Sequence, residues 1–376
     1  MIYFDHNATT PVLPEVLEAM LPYLTSDWGN PSSAHAFGQR AKEAVDRAHS
    51  QVAALLGCQP DEIVLTSGGS ESNNTAIKGV AFALRDKGDH IITSQVEHPA
   101  VLKPLRFLER NRFTVTYLPV DQFGMVKVSD VEKAITSKTI LITIMHANNE
   151  VGTIEPVAEI GTLAHARGVL LHTDAAQSVG KIPTRVDDLN VDLLTIAGHK
   201  LYAPKGVGAL YVRRGVVFEP LIHGAGHESG RRAGTENVPY MVALGRACQL
   251  AAMELESSRT RLTELRDHLH DGLKKLFGER LYLNGHPMER LPNTLNVSFE
   301  GLVGGDVLAA LGEVAASTGS ACHAGSHELS PVLKAMGVPE QVGLGAVRFS
   351  LGRLTTREEI ENILKLFQTK VARSPQ

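Results

Sequence analysis

The chain has 376 residues, with 43% hydrophobic and 21% charged residues, a composition typical of a soluble globular protein large enough for two lobes. Its net charge of −4, with no run of more than two Lys or Arg residues, argues against direct nucleic-acid binding. The N-terminus lacks the features of a signal peptide, and no apolar run is long enough to cross a membrane. We therefore expect a cytoplasmic protein without membrane contact.

Short apolar runs alternate with longer amphipathic runs from about residue 60 onwards, which predicts an α/β fold with a mostly parallel mixed sheet. In chain order, the predicted strands lie in "EIVLT", "HIITS", "TILITI", "VLLHTD", "DLLTIA" and "GALYV". Polar residues follow these runs. Because ligands of open α/β sheets bind beyond the carboxyl ends of the strands, the loops are expected to converge on one cleft.

A long helical stretch follows, from about Val238 to Phe277, with apolar residues at spacings of three and four. After it, "PNTLNVSFEG" and "GAVRFSLG" predict strands of a smaller α/β lobe. The predicted domains are therefore 14–254 for the larger lobe, and 1–13 together with 255–376 for the smaller. The N-terminal residues are expected to return to the smaller lobe or to cross the cleft.

Lys200 and Asp174 each stand at the end of an apolar run. A desolvated lysine at such a place can form a Schiff base with an aldehyde, although a surface lysine is the ordinary alternative. Asp174 needs a cationic partner, for which a pyridinium nitrogen would serve, or else it caps the following turn. Gln177 can donate to a phenolic oxygen. Together these residues are typical of a pyridoxal phosphate (PLP) site.

Three further segments fit this site, and each also has an ordinary structural alternative. Gly69 and Ser70 join a strand to a helix, where backbone amides favour phosphate, although many such glycine turns bind nothing. His98 could stack on a flat ring and handle protons, or simply cap a helix. Asn149 could reach a cofactor hydroxyl, or serve a turn.

Cys322 lies among small residues in "ASTGSACHAGSHELSP", close to His323 and His327. The residues alone leave four interpretations: a metal ligand, half of a disulfide, a buried thiol or a nucleophile. Cys58 and Cys248 are the other cysteines, and an odd total without a CxxC pair disfavours a disulfide framework. No second cluster has zinc-site spacing, which weakens the metal interpretation.

Ten segments in this order resemble the cysteine desulfurases of the NifS/IscS type, which are class V, fold type I PLP enzymes. These segments span almost the whole chain and read "YFDHNATTP", "GNPSS", "TSGGSESNNTAIKG", "EHPAV", "NNEVG", "HTDAAQSVGK", "GHKLYAPKGVGALYV", "RAGTENV", "GSACHAG" and "VRFSLGR". "ASTGSACH", with "RLPNTLNVSFEG" before it and "SPVL" after it, is also similar to the related selenocysteine lyases.

The resemblance implies a role for each matching position on the cofactor side. Lys200 would hold the PLP aldehyde and Asp174 would face the pyridine nitrogen. Gln177 and Asn149 would lie on the side of the ring oxygen, and His98 on the ring face. The residues implied to hold the phosphate are Gly69, Ser70, His199 and, from the neighbouring subunit of a homodimer, Thr235. Ala197 stands where the family often has serine, so one phosphate hydroxyl is missing.

On the substrate side, the resemblance implies that Arg348 binds the α-carboxylate of L-cysteine, with Asn30 as a secondary contact. A structural salt bridge is the ordinary alternative for Arg348. Lys200 would move protons, and the Cys322 thiolate would attack the substrate sulfur. Alanine and a persulfide would result, with the sulfur passing to an acceptor protein for iron–sulfur assembly, tRNA thiolation or DNA phosphorothioation. His98, His323 or a nearby cation would activate the thiol.

Three alternatives stay open at this point. A selenocysteine lyase would use the same residues on a selenium substrate. A non-catalytic scaffold would keep the fold and bind partner proteins without a cofactor. An aminotransferase would explain Lys200 and Asp174 but would leave Cys322 without a role.

Overall fold

The computed structural model describes residues 1–318 and 329–372. Its strands, in chain order, are β1 (Ile2–Tyr3), β2 (Ile63–Thr66), β3 (His90–Ser94), β4 (Thr114–Leu118), β5 (Thr139–Thr143), β6 (Leu170–Asp174), β7 (Leu193–Ala197), β8 (Gly208–Val212), β9 (Leu281–Asn284), β10 (Thr294–Phe299), β11 (Val314–Ala315) and β12 (Ala346–Ser350). The predicted strands are all present.

The α-helices alternate with these strands along most of the chain. They are α1 (Pro14–Met20), α2 (Pro22–Thr25), α3 (Ala36–Leu56), α4 (Gly69–Ala83), α5 (Pro99–Arg110), α6 (Val128–Ala134), α7 (Val157–Ala166), α8 (Val238–Phe277), α9 (Gly304–Leu311), α10 (Pro331–Ala335), α11 (Glu340–Gly343) and α12 (Arg357–Leu366). Short 3₁₀ turns lie at Pro60–Glu62, Gly198–Lys200, Glu228–Gly230 and Gly278–Arg280, and a π-helix at Phe367–Val371.

The larger sheet has seven strands in the order β2-β8-β7-β6-β5-β3-β4. The pairs from β7 to β4 are parallel, whereas β8 is antiparallel to both β2 and β7. Most of these strands are buried along their whole length, since helices cover both faces of the sheet. This is the mostly parallel α/β sheet that the sequence predicts.

A smaller antiparallel sheet, in the order β12-β10-β9, lies beside a separate apolar core. Four phenylalanines make edge-on and stacked contacts there: Phe277, Phe299, Phe349 and Phe367. Helix α8 has the bounds predicted from its apolar spacing and contributes to both cores. Residue 254 lies inside this unbroken helix, and the division of the chain into 14–254 and the remainder stays a prediction.

Residues 1–10, which we call the N-terminal strap, return to the smaller lobe and also reach the cleft. Strand β1 pairs in parallel with β11, and a further bridge joins Asp5 to Ser350 at the end of β12. Farther along, Thr10 donates its backbone N–H to the carbonyl of His199, 2.9 Å away, beyond β7. The strap therefore joins the two sheets, and both halves of the sequence-based expectation for it are confirmed.

Candidate active site

A cavity of about 510 Å³ opens where the carboxyl ends of the parallel strands meet the N-terminal strap. Its volume suits a small cofactor with a bound substrate. Most of the predicted site residues line it: Gly69, Ser70, His98, Asn149, Asp174, Gln177, His199, Lys200 and Arg348. The expectation that loops after several strands converge on one cleft is thus confirmed.

Lys200 ends the 3₁₀ turn that follows β7, so the short strand carries its side chain directly to the cavity. Its Nζ donates to two backbone carbonyls of the strap, that of Asn7 and that of Ala8, the latter at 2.6 Å. The strap therefore holds the lysine amine at the cavity wall.

Asp174 is the last residue of β6, and its side chain is buried beside the cavity. Its Oδ2 accepts from Asn73 Nδ2 at 2.7 Å, and its Oδ1 accepts from the Ala176 backbone N–H at 3.0 Å. The latter contact is the turn-capping alternative, which this residue fulfils while also lining the cavity. Both carboxylate oxygens are thus oriented by neighbouring nitrogens.

Gln177 lies one short turn after Asp174, and its amide orientation is set by a lysine. Lys181 Nζ donates to Gln177 Oε1 at 3.0 Å, while Gln177 Nε2 donates to the Asn7 carbonyl at 3.0 Å. The Asn7 side-chain oxygen also accepts from Lys181, at 3.4 Å. Gln177 therefore presents a donor nitrogen, rather than its oxygen, on the strap side.

His98 combines the two interpretations that the sequence left open, since it lines the cavity and also caps α5. Its Nδ1 accepts from the Ala100 backbone N–H at 3.1 Å, which places the hydrogen of the neutral ring on Nε2. Burial lowers its pKa, a shift that Asp174 opposes and Lys200 reinforces. The lowered pKa favours the neutral imidazole, which carries its hydrogen on Nε2.

The N-terminus of α4 forms the anion-binding side of the cavity. Gly68 precedes the helix with a φ of 142°, and the first amides, at Gly69, Ser70 and Glu71, have no acceptor within the helix. A Cβ on Gly69 would lie 3.1 Å from the Ala197 methyl group, so a larger residue would crowd this wall. Burial and neighbouring lysines lower the pKa of His199 to about 4, which keeps its ring neutral.

Arg348 lies in the middle of β12 and only 2% of it is exposed. Its Nη1 donates to the Asn149 carbonyl at 2.9 Å, and its Nη2 donates to Asp5 Oδ1 at 2.7 Å. The guanidinium thus lines the cavity and also forms the salt bridge that was its structural alternative. Asn149 accepts the hydrogen bond from Nη1 through its backbone carbonyl and also lines the cavity.

Two predicted residues are described but lie away from the cavity wall. Asn30 is exposed, and its Oδ1 accepts from the Ser32 backbone N–H at 2.9 Å, within its own turn. Thr235 is exposed as well. Cys322, His323 and His327 lie outside the described residues, so the predictions for them rest on the sequence.

Sequence reasoning missed four residues that hold this site together: Asp5, Asn7, Asn73 and Lys181. All four stand inside the quoted segments "YFDHNATTP", "TSGGSESNN" and "HTDAAQSVGK". For Asp5, Asn7 and Asn73 nothing in the spacing indicates a role, because their partners are far away along the chain. Lys181 contacts Gln177 within its own segment, but its second partner, Asn7, is also distant. Asn7 shows this most clearly, since it contacts Thr294 and Asn293 in addition to Lys181 and Lys200.

The arrangement fits PLP by three independent features. An amine and a buried carboxylate, on Lys200 and Asp174, face one cavity, and the uncapped N-terminus of α4 opens onto the same space. Glycine at position 69 also lets the start of α4 lie close against β7, because a Cβ there would meet the Ala197 methyl group at 3.1 Å.

Comparison with known proteins identifies the family to which the chain belongs. The family model "Aminotransferase class-V" matches residues 2–363, so the chain belongs to this family. Members of the family generally use PLP. Within this family the chain is similar to cysteine desulfurases. It is 51% identical over 367 residues to "Cysteine desulfurase IscS" of Methanosarcina thermophila, and the match covers 97% of this chain and 90% of that protein.

Solved structures agree with this similarity. A "NIFS-LIKE PROTEIN" matches with a TM-score of 0.92 and 40% identity, covering 98% of each chain. The structure titled "SspA in complex with cysteine" matches with a TM-score of 0.84 and 40% identity, covering 93% of this chain and 99% of that one. The resemblance read from ten sequence segments and the fold expected from it are both confirmed.

No helix within 1–318 and 329–372 is both long and apolar enough to cross a membrane. Over the same residues, no group of three or more His, Cys, Asp or Glu side chains is arranged to hold a metal ion.

Proposed function

We propose that the protein is a PLP-dependent cysteine desulfurase that converts L-cysteine to L-alanine and transfers the sulfur to an acceptor protein. The observation that carries the proposal is that Lys200, Asp174 and the N-terminus of α4 meet at one cavity. Relatives named cysteine desulfurase cover nearly the whole chain and support the same reaction.

In this proposal each cavity residue has one task toward the cofactor. Lys200 would hold it covalently, Asp174 would face its ring nitrogen, and Gly69, Ser70 and His199 would hold its phosphate. Gln177 and Asn149 would serve the ring oxygen, and His98 would cover the ring face. Bound PLP supplies an electron sink for the bonds at the substrate Cα.

The chain's own groups then carry out the remaining steps. Arg348 binds the α-carboxylate of L-cysteine, and the Lys200 amine takes the proton from Cα and returns it later. The Cys322 thiolate attacks the substrate sulfur, so that a new S–S bond forms as the C–S bond breaks. The carbon fragment keeps the electron pair of that bond and is protonated to alanine. The sum is cysteine plus a thiol giving alanine plus a persulfide, which needs no external oxidant.

The proposal includes a homodimer in which Thr235 reaches the phosphate of the neighbouring subunit. The exposure of Thr235 and its position away from its own chain's cavity support this arrangement. The acceptor belongs to iron–sulfur assembly, tRNA thiolation or DNA phosphorothioation, and the sequence predicts that the transfer takes place in the cytoplasm.

The test is to incubate the purified holoenzyme with ³⁵S-labelled L-cysteine and to follow alanine release and the mass of the Cys322 peptide. We expect stoichiometric alanine, one added sulfur on that peptide, and an absorbance band at about 420 nm that borohydride bleaches. A colourless protein without this band would support the non-catalytic scaffold. Equal alanine release by Cys322→Ala would remove the thiol from the mechanism, and turnover of selenocysteine alone would favour the lyase.

A further inference from the structure

The residue expected to bind a carboxylate already faces one in this chain. Arg348 Nη2 donates to Asp5 Oδ1 at 2.7 Å, while Nη1 donates to the Asn149 carbonyl at 2.9 Å. Arg348 lines the cavity, whereas Asp5 is absent from the described cavity wall. Asp5 therefore contacts the guanidinium from outside the cavity wall.

The backbone fixes Asp5 at this position from both sides. The Ser350 N–H donates to the Phe4 carbonyl at 2.7 Å, and the His6 N–H donates to the Ser350 carbonyl at 3.1 Å. The Asn7 N–H donates to Ser350 Oγ at 2.9 Å. Because Ser350 and Arg348 stand two residues apart on one strand, their side chains share a face. The strap thus brings the Asp5 carboxylate to the guanidinium by a backbone ladder, not by a loosely held side chain.

An arginine this deeply buried needs a counter-charge, because a buried unpaired guanidinium is strongly destabilising. Asp5 supplies that charge, and 21% of its side chain stays exposed. The two terminal nitrogens of Arg348 carry four hydrogens, and the contacts to Asp5 and Asn149 use two of them. The other two, and the buried Nε hydrogen that has no partner among the described residues, remain to donate to the oxygens of an α-carboxylate.

We propose that Asp5 is a positioning residue for substrate binding: it holds the Arg348 guanidinium in the orientation that receives the α-carboxylate of the amino-acid substrate. This inference rests on the proposed function, since it takes Arg348 as the carboxylate-binding residue. The opposite role is competition, in which Asp5 occupies the guanidinium and must be displaced by the substrate. The two roles predict opposite changes in affinity when Asp5 is removed.

The experiment uses the holoenzyme and three ligands: L-cysteine as substrate, L-alanine as a carboxylate-bearing product, and cysteamine, which has the amine and thiol without the carboxylate. For Asp5→Ala, we expect KM for L-cysteine and the calorimetric Kd for L-alanine to rise about tenfold or more, with kcat within about threefold. Cysteamine inhibition should change less than about twofold. Asp5→Asn, which keeps an oxygen acceptor, should show a smaller rise of about threefold.

The matched control is Asp61→Ala, which removes the carboxylate of an exposed ion pair with Arg214 at 2.8 Å. It should leave all three ligands unaffected. A fall or no change in Kd for L-alanine in Asp5→Ala would overturn the proposal, as would an equal change for cysteamine. If Asp5→Ala does not fold, judged by its urea transition, the nearly isosteric Asp5→Asn decides by the direction of the change. A wild-type enzyme that binds L-alanine but forms none from L-cysteine would contradict the proposed function and leave the Asp5 test intact.

Discussion

The cavity has two sides that are built from different kinds of sequence. The sheet side consists of residues at or just beyond the carboxyl ends of strands, such as Asp174, the last residue of β6, and Lys200, in the turn after β7. The strap side consists of Asn7 at the cavity wall and Asp5 behind it, and their partners lie hundreds of residues away. The sheet side carries the groups proposed for chemistry, while the strap side holds those groups in place. Substitutions on the sheet side should therefore reduce activity, and substitutions on the strap side should mainly reduce stability or substrate affinity.

Lys200→Arg should have the largest effect of any single exchange on the sheet side. Arginine keeps a positive charge near the Asn7 and Ala8 carbonyls, but a guanidinium is not a nucleophile at neutral pH and cannot hold the cofactor aldehyde. We expect alanine release to fall at least about 1,000-fold, measured with excess PLP, together with loss of the visible absorbance band.

The control is the same exchange at another lysine of the cavity wall, Lys205→Arg, which should stay within about threefold of the wild type. If Lys200→Arg kept alanine release within tenfold of wild type, the covalent role would belong to another amine. The partly buried Lys181 would then be tested first.

Asn7→Ala should instead reduce stability, because Asn7 is the most connected residue of the strap. Its side chain donates to Thr294 Oγ1 at 2.9 Å and accepts from Asn293 at 3.0 Å, and it is buried. Alanine would leave these partners without their hydrogen bonds, so we expect the free energy of unfolding in urea to fall by about 2 kcal/mol.

A matched exchange on the surface of the sheet region is Asn111→Ala, which removes one partly buried bond to the Phe107 carbonyl. It should lower the free energy of unfolding by about 0.5 kcal/mol. Equal losses for the two variants would mean that the strap contributes no more than an ordinary surface contact.

The same contrast explains what the sequence could predict. Strands, the bounds of α8 and most cavity residues follow from local patterns, because a polar residue after a buried strand must emerge at the sheet edge. The pair formed by Asp5 and Arg348 joins residues separated by 343 positions, and no periodicity encodes it. For the same reason the short strands β1 and β11 escaped prediction, and strands β4 and β9 were not predicted either. The role of His98 could not be decided from the sequence for a different reason. A histidine at this position can cap a helix or line a cavity, and here it does both.

Lys181 gives the two sides a shared contact that should depend on pH. Its Nζ donates to Gln177 on the sheet side and to Asn7 on the strap side. Burial, with repulsion from Lys200 and Arg348, lowers the pKa of this ammonium to about 7, against about 10.4 in an unfolded chain. At a pH between these two pKa values, Lys181 is protonated in the unfolded chain and deprotonated in the folded chain. This group therefore makes the free energy of unfolding rise with pH above about 7.

The measurement compares apoprotein, in which Lys200 is unmodified, with Lys181→Met in urea from about pH 7 to 8.5. The difference in unfolding free energy, wild type minus variant, should increase by about 1 kcal/mol per pH unit. Glu97 and Glu155, whose pKa values burial raises to about 8, lower stability across the same range, but they are present in both proteins and cancel. Parallel curves would show that Lys181 does not titrate in the folded protein over this range.

The smallest effect is expected where neither side of the cavity is involved, at the thiols of Cys58 and Cys248. Burial raises the pKa of both thiols to about 12, and Glu62 adds to the shift at Cys58. At pH 8 the thiolate fraction of such a group is about one in 10⁴, so neither can attack sulfur at a useful rate. The double variant Cys58→Ala, Cys248→Ala should keep alanine release within about twofold of wild type.

Mass spectrometry of the same double variant is a stricter test, because it measures the number of sulfur atoms added to the protein and not the rate of alanine release. One added sulfur should remain after incubation with L-cysteine, and it should disappear when Cys322→Ala is added. A folded double variant that lost more than about tenfold of its activity would place a nucleophile at Cys58 or Cys248. The partly buried Cys58 or the buried Cys248 would then have to move during turnover, since neither thiol lines the cavity.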